Sequence, residues 1–180
     1  MQLPQSPRLR FAELTAADAG FILQLTNSEG WLRFIGDRGI RSLQDALVYI
    51  EQGPQAMYAA HGFGLWRVSQ IDTPGAIGLC GLIQRESLPT PDLGFAFLAE
   101  FCGRGFATEA AEACIRHARE ALGWSSLLAI VQQDNTASLR LLQRLDFSLQ
   151  PSLLPAAAAA DAKPLLQLDL DLRQPHRGGA

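Results

Sequence analysis

The stretch FCGRGFATEAAEACIRHAREALG, Phe101 to Gly123, constrains this chain more than any other. It follows the apolar run Leu93 to Leu98, so a strand, a glycine turn and a helix succeed one another without a spacer. Gly103 and Gly105 suit a tight turn and let a ligand approach bare backbone. Ala107, Ala110, Ala111, Cys114, Ala118, Ala121 and Leu122 then recur at helical spacing. Thr108, Glu109, Glu112, Arg116 and Glu120 fall mostly off that stripe, and Gly123 is placed to end the helix. A helix start presents unpaired N–H groups and the positive end of the dipole, which suits a phosphate. Two specific alternatives fail. GxxxxGK[ST] is missing, and GRGFATEA has Thr108 where a GxGxxG fingerprint needs its third glycine. From spacing alone, a phosphate cradle and a plain strand–helix connection both stand.

The neighbouring segments extend the pattern. Leu127 to Val131 (LLAIV) is a continuous apolar run, suited to a strand buried on both faces. Strand, helix and strand from Leu93 to Val131 therefore predict a crossover between parallel neighbours. Upstream, Arg8 to Leu14 alternates as a first strand, with Thr15 as N-cap of a helix that carries Phe21, Ile22 and Leu25 towards Trp31. Ser42 caps a second helix, expected to end by Gly53-Pro54. Met57 to Ile71 and Ala76 to Arg85, separated by the turn DTPG, read as a hairpin, and Asp92 to Leu98 as the next strand. Asp134 or Asn135 caps a helix bearing Leu141, Leu142 and Leu145. A loop over Pro151 to Pro164 and a final strand over Lys163 to Leu172 complete the reading, with residues 1–174 as one domain and 175–180 as a flexible tail.

Composition removes several function classes. With 180 residues, 48% apolar, and a net charge of −3, the chain can bury a full core and shows no basic run for nucleic acid. No apolar stretch approaches a membrane span, and MQLPQSPRLR lacks a signal-peptide core, so a cytoplasmic protein is expected. Cys80, Cys102 and Cys114 share no CxxC spacing, and His61, His117 and His176 are scattered, so no metal site is expected. Cys80, Cys114 and His117 read as core residues; Trp31 and Phe34 either line a groove or close the core beneath a loop.

The segments GFAFLAEFCGRGFATEAAEACIRHA and DNTASLRLLQRLDF, on either side of a buried strand, resemble the GNAT superfamily of acyl-CoA-dependent N-acetyltransferases. The chain is most similar to its RimJ/RimL-type branch, whose pattern runs WGKGYATEA, N-x-x-S and KLGF. RLRFAELTAADAGFI and GLCGLIQRESLPTPDLGF fit the same branch, so the resemblance spans about Arg8 to Phe147. It implies an α/β fold with a splayed, mostly antiparallel mixed sheet, a central parallel pair and flanking helices. It implies that pantetheine pairs with backbone groups near Phe97 and Leu98, and that the pyrophosphate sits on the N–H groups of Gly103, Arg104, Gly105, Phe106, Ala107 and Thr108. Asn135 and Ser138 match N-x-x-S, which the family turns towards CoA or an active-site water; as residues, both are also ordinary helix-start groups.

The implied reaction is acetyl transfer from acetyl-CoA to a primary amine, a protein N-terminus or a small molecule, by a monomer or homodimer. Cys102 replaces the tryptophan of the turn and Asp146 the glycine of KLGF. Leu142 stands where many family members place a tyrosine acid. A backbone N–H near Leu98 is expected to polarise the thioester carbonyl. An α-amine, with a pKa of about 8, is partly neutral at pH 7, whereas a lysine near ~10.4 is not. Glu86 and Asp92, bracketing the loop into the central strand, are base candidates, with Glu100 just beyond and Ser138 as a further catalytic candidate. Polyamine or aminoglycoside acetylation, which a strongly acidic groove would support, and a catalytically weak acyl-CoA-binding protein are the alternatives.

Overall fold

Buried Leu9 and Phe11 alternate with exposed Arg10, and these residues form strand β1 (Leu9–Ala12) in the computed structural model, which describes residues 2–154 and 165–174. The Asp18 carboxylate closes the turn that follows, accepting from the Thr15 N–H at 2.8 Å and the Thr15 hydroxyl at 3.1 Å. Helix α1 (Ala19–Thr26) buries Ile22 and Leu25 but does not run on to Trp31. The Asn27 amide donates to the Leu23 carbonyl at 2.8 Å, giving the helix end a partner, and Ser28 opens a separate α2 (Glu29–Phe34). Ser42 caps α3 (Leu43–Ile50) as expected, its hydroxyl accepting from the Asp45 N–H at 3.1 Å.

The expected break at Gly53-Pro54 is not a break. A π-helical segment, Glu51–Gln55, carries the chain through Pro54 into α4 (Ala56–His61), so Met57 to His61 is helix where a strand was expected. A wider turn is one way to take a residue without an N–H into a helix, and the following AMYAAH contains good helix formers. Gly62, at φ +73°, ends α4 in the left-handed conformation.

Strands β2 (Leu65–Gln70), β3 (Ala76–Ile83) and β4 (Asp92–Phe97) form an antiparallel meander. A 3-10 turn (Ala99–Phe101) and the glycine turn lead into α5 (Phe106–Glu120) and then β5 (Ser126–Gln132), parallel to β4 as the crossover predicted. Helix α6 (Thr136–Arg144) is followed by β6 (Ser148–Leu154) and β7 (Leu165–Asp171). Backbone over Pro151 to Leu154 is thus strand rather than loop; the rest of that expected loop, and residues 175–180, lie outside the described residues. The sheet order is β1-β2-β3-β4-β5-β7-β6.

Apolar side chains cover both faces. One cluster gathers Trp66, Leu82, Leu93 and Leu127 around the alanine-rich stripe of α5, with Phe95 and Phe97 packed against it. The other gathers Leu79, Leu98, Ile22, Trp31 and Ile50, with Ala96 against it. Alternation along β4 thus sends odd-numbered side chains to one face and even-numbered ones to the other. Cys80 and Cys114 are buried, with sulfurs 3.6 Å apart, and His117 is buried edge-on to Trp66.

Candidate functional site

Strands β4 and β5 pair at a single register position, Asp92 with Leu128, where the Leu128 N–H donates to the Pro91 carbonyl at 3.0 Å. Beyond it they part, while β3 continues along β4 and β7 along β5. The ladder to β3 fixes which backbone groups of β4 face the gap. The Leu98 N–H donates to the Ile77 carbonyl at 3.0 Å, so by antiparallel alternation Ala96 and Leu98 turn to β3 while Phe95 and Phe97 turn to the cleft. This corrects the expectation for Leu98, whose carbonyl is also engaged, by the Phe101 N–H at 3.0 Å. Phe97 keeps the expected orientation, and Phe95, which sequence reasoning did not single out, joins it.

At the end of β4 the chain turns through Gly103 at φ +73° and Gly105 at φ +79°. A Cβ at Gly103 would meet nothing within 4 Å, and one at Gly105 only Arg8 Nη2 at 3.5 Å, so the backbone conformation, not crowding, calls for glycine there. Gly105 is the N-cap of α5 and provides no side-chain cap, which leaves the first-turn N–H groups of Phe106, Ala107 and Thr108 for an external acceptor. Arg104 is exposed, with its guanidinium 5.1 Å from the Phe106 ring centroid; Arg8 lies 4.9 Å from the same centroid. Arg8 comes from the N-terminal segment and carried no sequence signal. Its guanidinium and N–H both bond Glu109, which also accepts from Ser6. Burial opposes the Glu109 charge, but the bonds from Ser6 and Arg8 outweigh it and hold this carboxyl below its usual range. An uncapped helix start, two open glycine positions and flanking guanidinium groups fit a pyrophosphate.

A cavity of about 390 Å³ fills the gap between the strands and extends under α2 and α3. Asp92 lines it at the point where β4 and β5 part, with a side chain only 2% exposed. Arg85 grips both carboxylate oxygens, Nε to Oδ1 at 2.7 Å and Nη2 to Oδ2 at 3.2 Å. Burial nonetheless raises the Asp92 pKa, with the Arg85 bonds pulling the other way. Asn135 and Ser138 line the β5 side; the Asn135 side-chain Oδ1 caps α6 by accepting from the Ser138 N–H at 3.1 Å. Leu142 is buried in the same wall. Trp31 belongs to the core and also lines the cavity, joined by half-buried Phe34 and Tyr49, so both readings of the two aromatics hold in part.

Glu86 is exposed and outside the cavity lining, and so is Glu100, which sits in the 3-10 turn. Arg85 and Tyr49 were missed: one is the far side of a hairpin loop, the other a helix residue more than forty positions before β4. Among the described residues, no group of three or more His, Cys, Asp or Glu is placed to hold a metal ion, and no helix is long and apolar enough to cross a membrane.

A family profile described as an acetyltransferase (GNAT) domain matches residues 8–148. A Bacillus subtilis (strain 168) protein, the uncharacterized N-acetyltransferase YoaA, is 29% identical over 146 residues, 79% of this chain and 81% of that protein. Among solved structures, a GNAT-family acetyltransferase from Bacillus anthracis superposes with a TM-score of 0.80 at 15% identity, covering 95% of this chain and 99% of its own. RimL, a ribosomal alpha-N-protein acetyltransferase in complex with coenzyme A, has a TM-score of 0.79 at 15% identity, over 93% of this chain and 96% of its own.

Proposed function

The chain belongs to the GNAT acetyltransferase family and is an acetyl-CoA-dependent N-acetyltransferase, and on that premise we propose that it acetylates an α-amine by direct attack in a ternary complex. The observation that carries the reading is Asp92, a carboxylate on the cavity wall where β4 and β5 part. Acetyl-CoA supplies an activated acetyl thioester. The N–H groups of Gly103, Arg104, Gly105, Phe106, Ala107 and Thr108 hold its pyrophosphate, with Arg104 adding positive charge beside the turn. The backbone of Phe97 and Phe95 holds the pantetheine arm, and one of these N–H groups polarises the thioester carbonyl. Asn135 and Ser138 offer polar contacts from the opposite wall.

Asp92 accepts the proton of the attacking amine, directly or through one water. An acceptor that is already partly neutral at pH 7 needs least from this base, which favours an α-amine over a lysine side chain. Glu86 takes no step, because it is exposed and outside the cavity lining. Ser138 serves contact rather than proton transfer. Leu142 offers no proton to the departing thiolate, whose reference pKa of about 8.5 lets it leave without full protonation. A RimJ/RimL-type placement within the family accords with the turn and the Asn135–Ser138 pair. A polycationic acceptor fits less well: among the described residues Asp92 is the one carboxylate on the lining, and the cations Arg38 and Arg85 line the same cavity.

A thiol-release assay with acetyl-CoA tests this. Turnover is expected with α-amines, both amino acids and short peptides, well above that with lysine side chains or spermidine. Turnover confined to polyamines contradicts the α-amine reading. Absence of CoA binding by calorimetry contradicts the cradle.

A further inference from the structure

Arg38 lies in the loop between α2 and α3, lines the cavity and is exposed at its rim. Among the described residues it makes no hydrogen bond or ion pair, whereas its loop neighbours Asp37 and Arg41 pair with each other. Among the described residues, the charged side chains of the lining are Arg38, Arg85 and Asp92. Arg85 offsets the charge of Asp92, so Arg38 remains as the uncompensated cation of these three. Arg38 and Arg85 line this one cavity together with half-buried Tyr49. The cavity also offers apolar surface from Trp31 and Phe34, with the Trp31 Nε1 buried and unpartnered.

A guanidinium is a planar fork that binds carboxylate and phosphate through paired, charge-assisted hydrogen bonds. At the rim of a concave, largely apolar site its field is focused, attracting anions and repelling cations. Resting on the acyltransferase reading above, we propose that the acceptor is a compact amine that also carries a carboxylate or phosphate, bound by Arg38 while its apolar body rests on Trp31 and Phe34. The substrate class is amino-acid-like or amino-phosphate rather than polyamine.

Matched acceptors test this with the full chain and saturating acetyl-CoA. The pairs are phenylalanine against phenethylamine, O-phosphoethanolamine against ethanolamine, and a tripeptide beginning in Asp against its Asn counterpart, with spermidine as the polycation. In at least one pair the anionic member is expected to have a kcat/KM about tenfold higher. The pair that responds tells whether a free carboxylate, a phosphate or an acidic peptide end is read. Arg38→Ala is expected to remove that preference, and Arg38→Lys to restore part of it. Equal kcat/KM within every pair, preference for spermidine, or a preference that survives Arg38→Ala overturns the inference while leaving the acyltransferase reading intact. If no amine is turned over, thermal stabilisation of the CoA-loaded protein by an anionic amine, lost in Arg38→Ala, supports the inference; no stabilisation by any of them overturns it. Failure to bind CoA overturns the acyltransferase reading instead.

Discussion

Burial and Arg85 pull the Asp92 carboxylate in opposite directions, and burial wins, raising its pKa above the usual carboxylate value of 3.8. A base works in its deprotonated form, so activity should fall as pH drops through this raised pKa. The acidic limb of a kcat/KM profile is therefore expected above pH 3.8, and Asp92→Asn is expected to lose the limb along with about a hundredfold in rate. A profile that keeps its limb in Asp92→Asn would remove Asp92 as the base. Arg85 has a structural duty as well. Arg85→Ala leaves a buried carboxylate unpaired, and a loss of about 3 kcal/mol in urea unfolding is expected. His117 gives a second pH signal. Burial lowers its pKa below 6.5, so the fold favours the neutral ring, with the stabilisation present above pH 6.5 and lost as pH falls through the lowered folded value. Melting temperature should decline over that window, and His117→Gln should flatten the decline.

At the scale of elements, the glycine turn and the start of α5 act as one device. Gly105→Ala forces a Cβ into the left-handed region at a cost of about 1 kcal/mol. Calorimetry is expected to show CoA binding weakened about tenfold, and an unchanged affinity would mean that the turn does not contact CoA. The β2–β3 contact is tighter: a Cβ at Gly81 would run into the Gly64 carbonyl and come within 2.8 Å of Leu65 Cα. Gly81→Ala should therefore destabilise the chain by about 3 kcal/mol. Legibility also divides by element. The α5 stripe, the apolar β5 and the Ser42 cap follow local rules and could be read directly. Gly53-Pro54 misled, because a π segment let the helix pass through two residues that normally stop it. Leu98 misled for another reason, since the side of a strand that carries its free N–H groups depends on the register with β3, which is a property of the assembled sheet.

At the scale of the molecule, the site is a gap in a sheet. A single pairing at Asp92 and Leu128 anchors β4 to β5, and the separation beyond it provides the cavity. The glycine turn, where we propose that the cofactor sits, could be read from the sequence because one continuous segment builds it. The proposed acceptor side was legible only at Asp92, because Arg38, Tyr49 and Arg85 come from separate elements that meet it only in the folded chain. Arg8 was hidden likewise, brought to Phe106 by the docking of the N-terminal segment on α5. The proposed direct transfer, with amine and thioester loaded together into one cavity, makes a kinetic demand that chemistry through a covalent acetyl-enzyme would not. Initial rates of thiol release, measured while acetyl-CoA and a responsive α-amine are varied together, should give intersecting double-reciprocal lines and one N-acetylated product per thiol. Parallel lines, or thiol release without acetylated amine, would contradict direct transfer in the β4–β5 cleft.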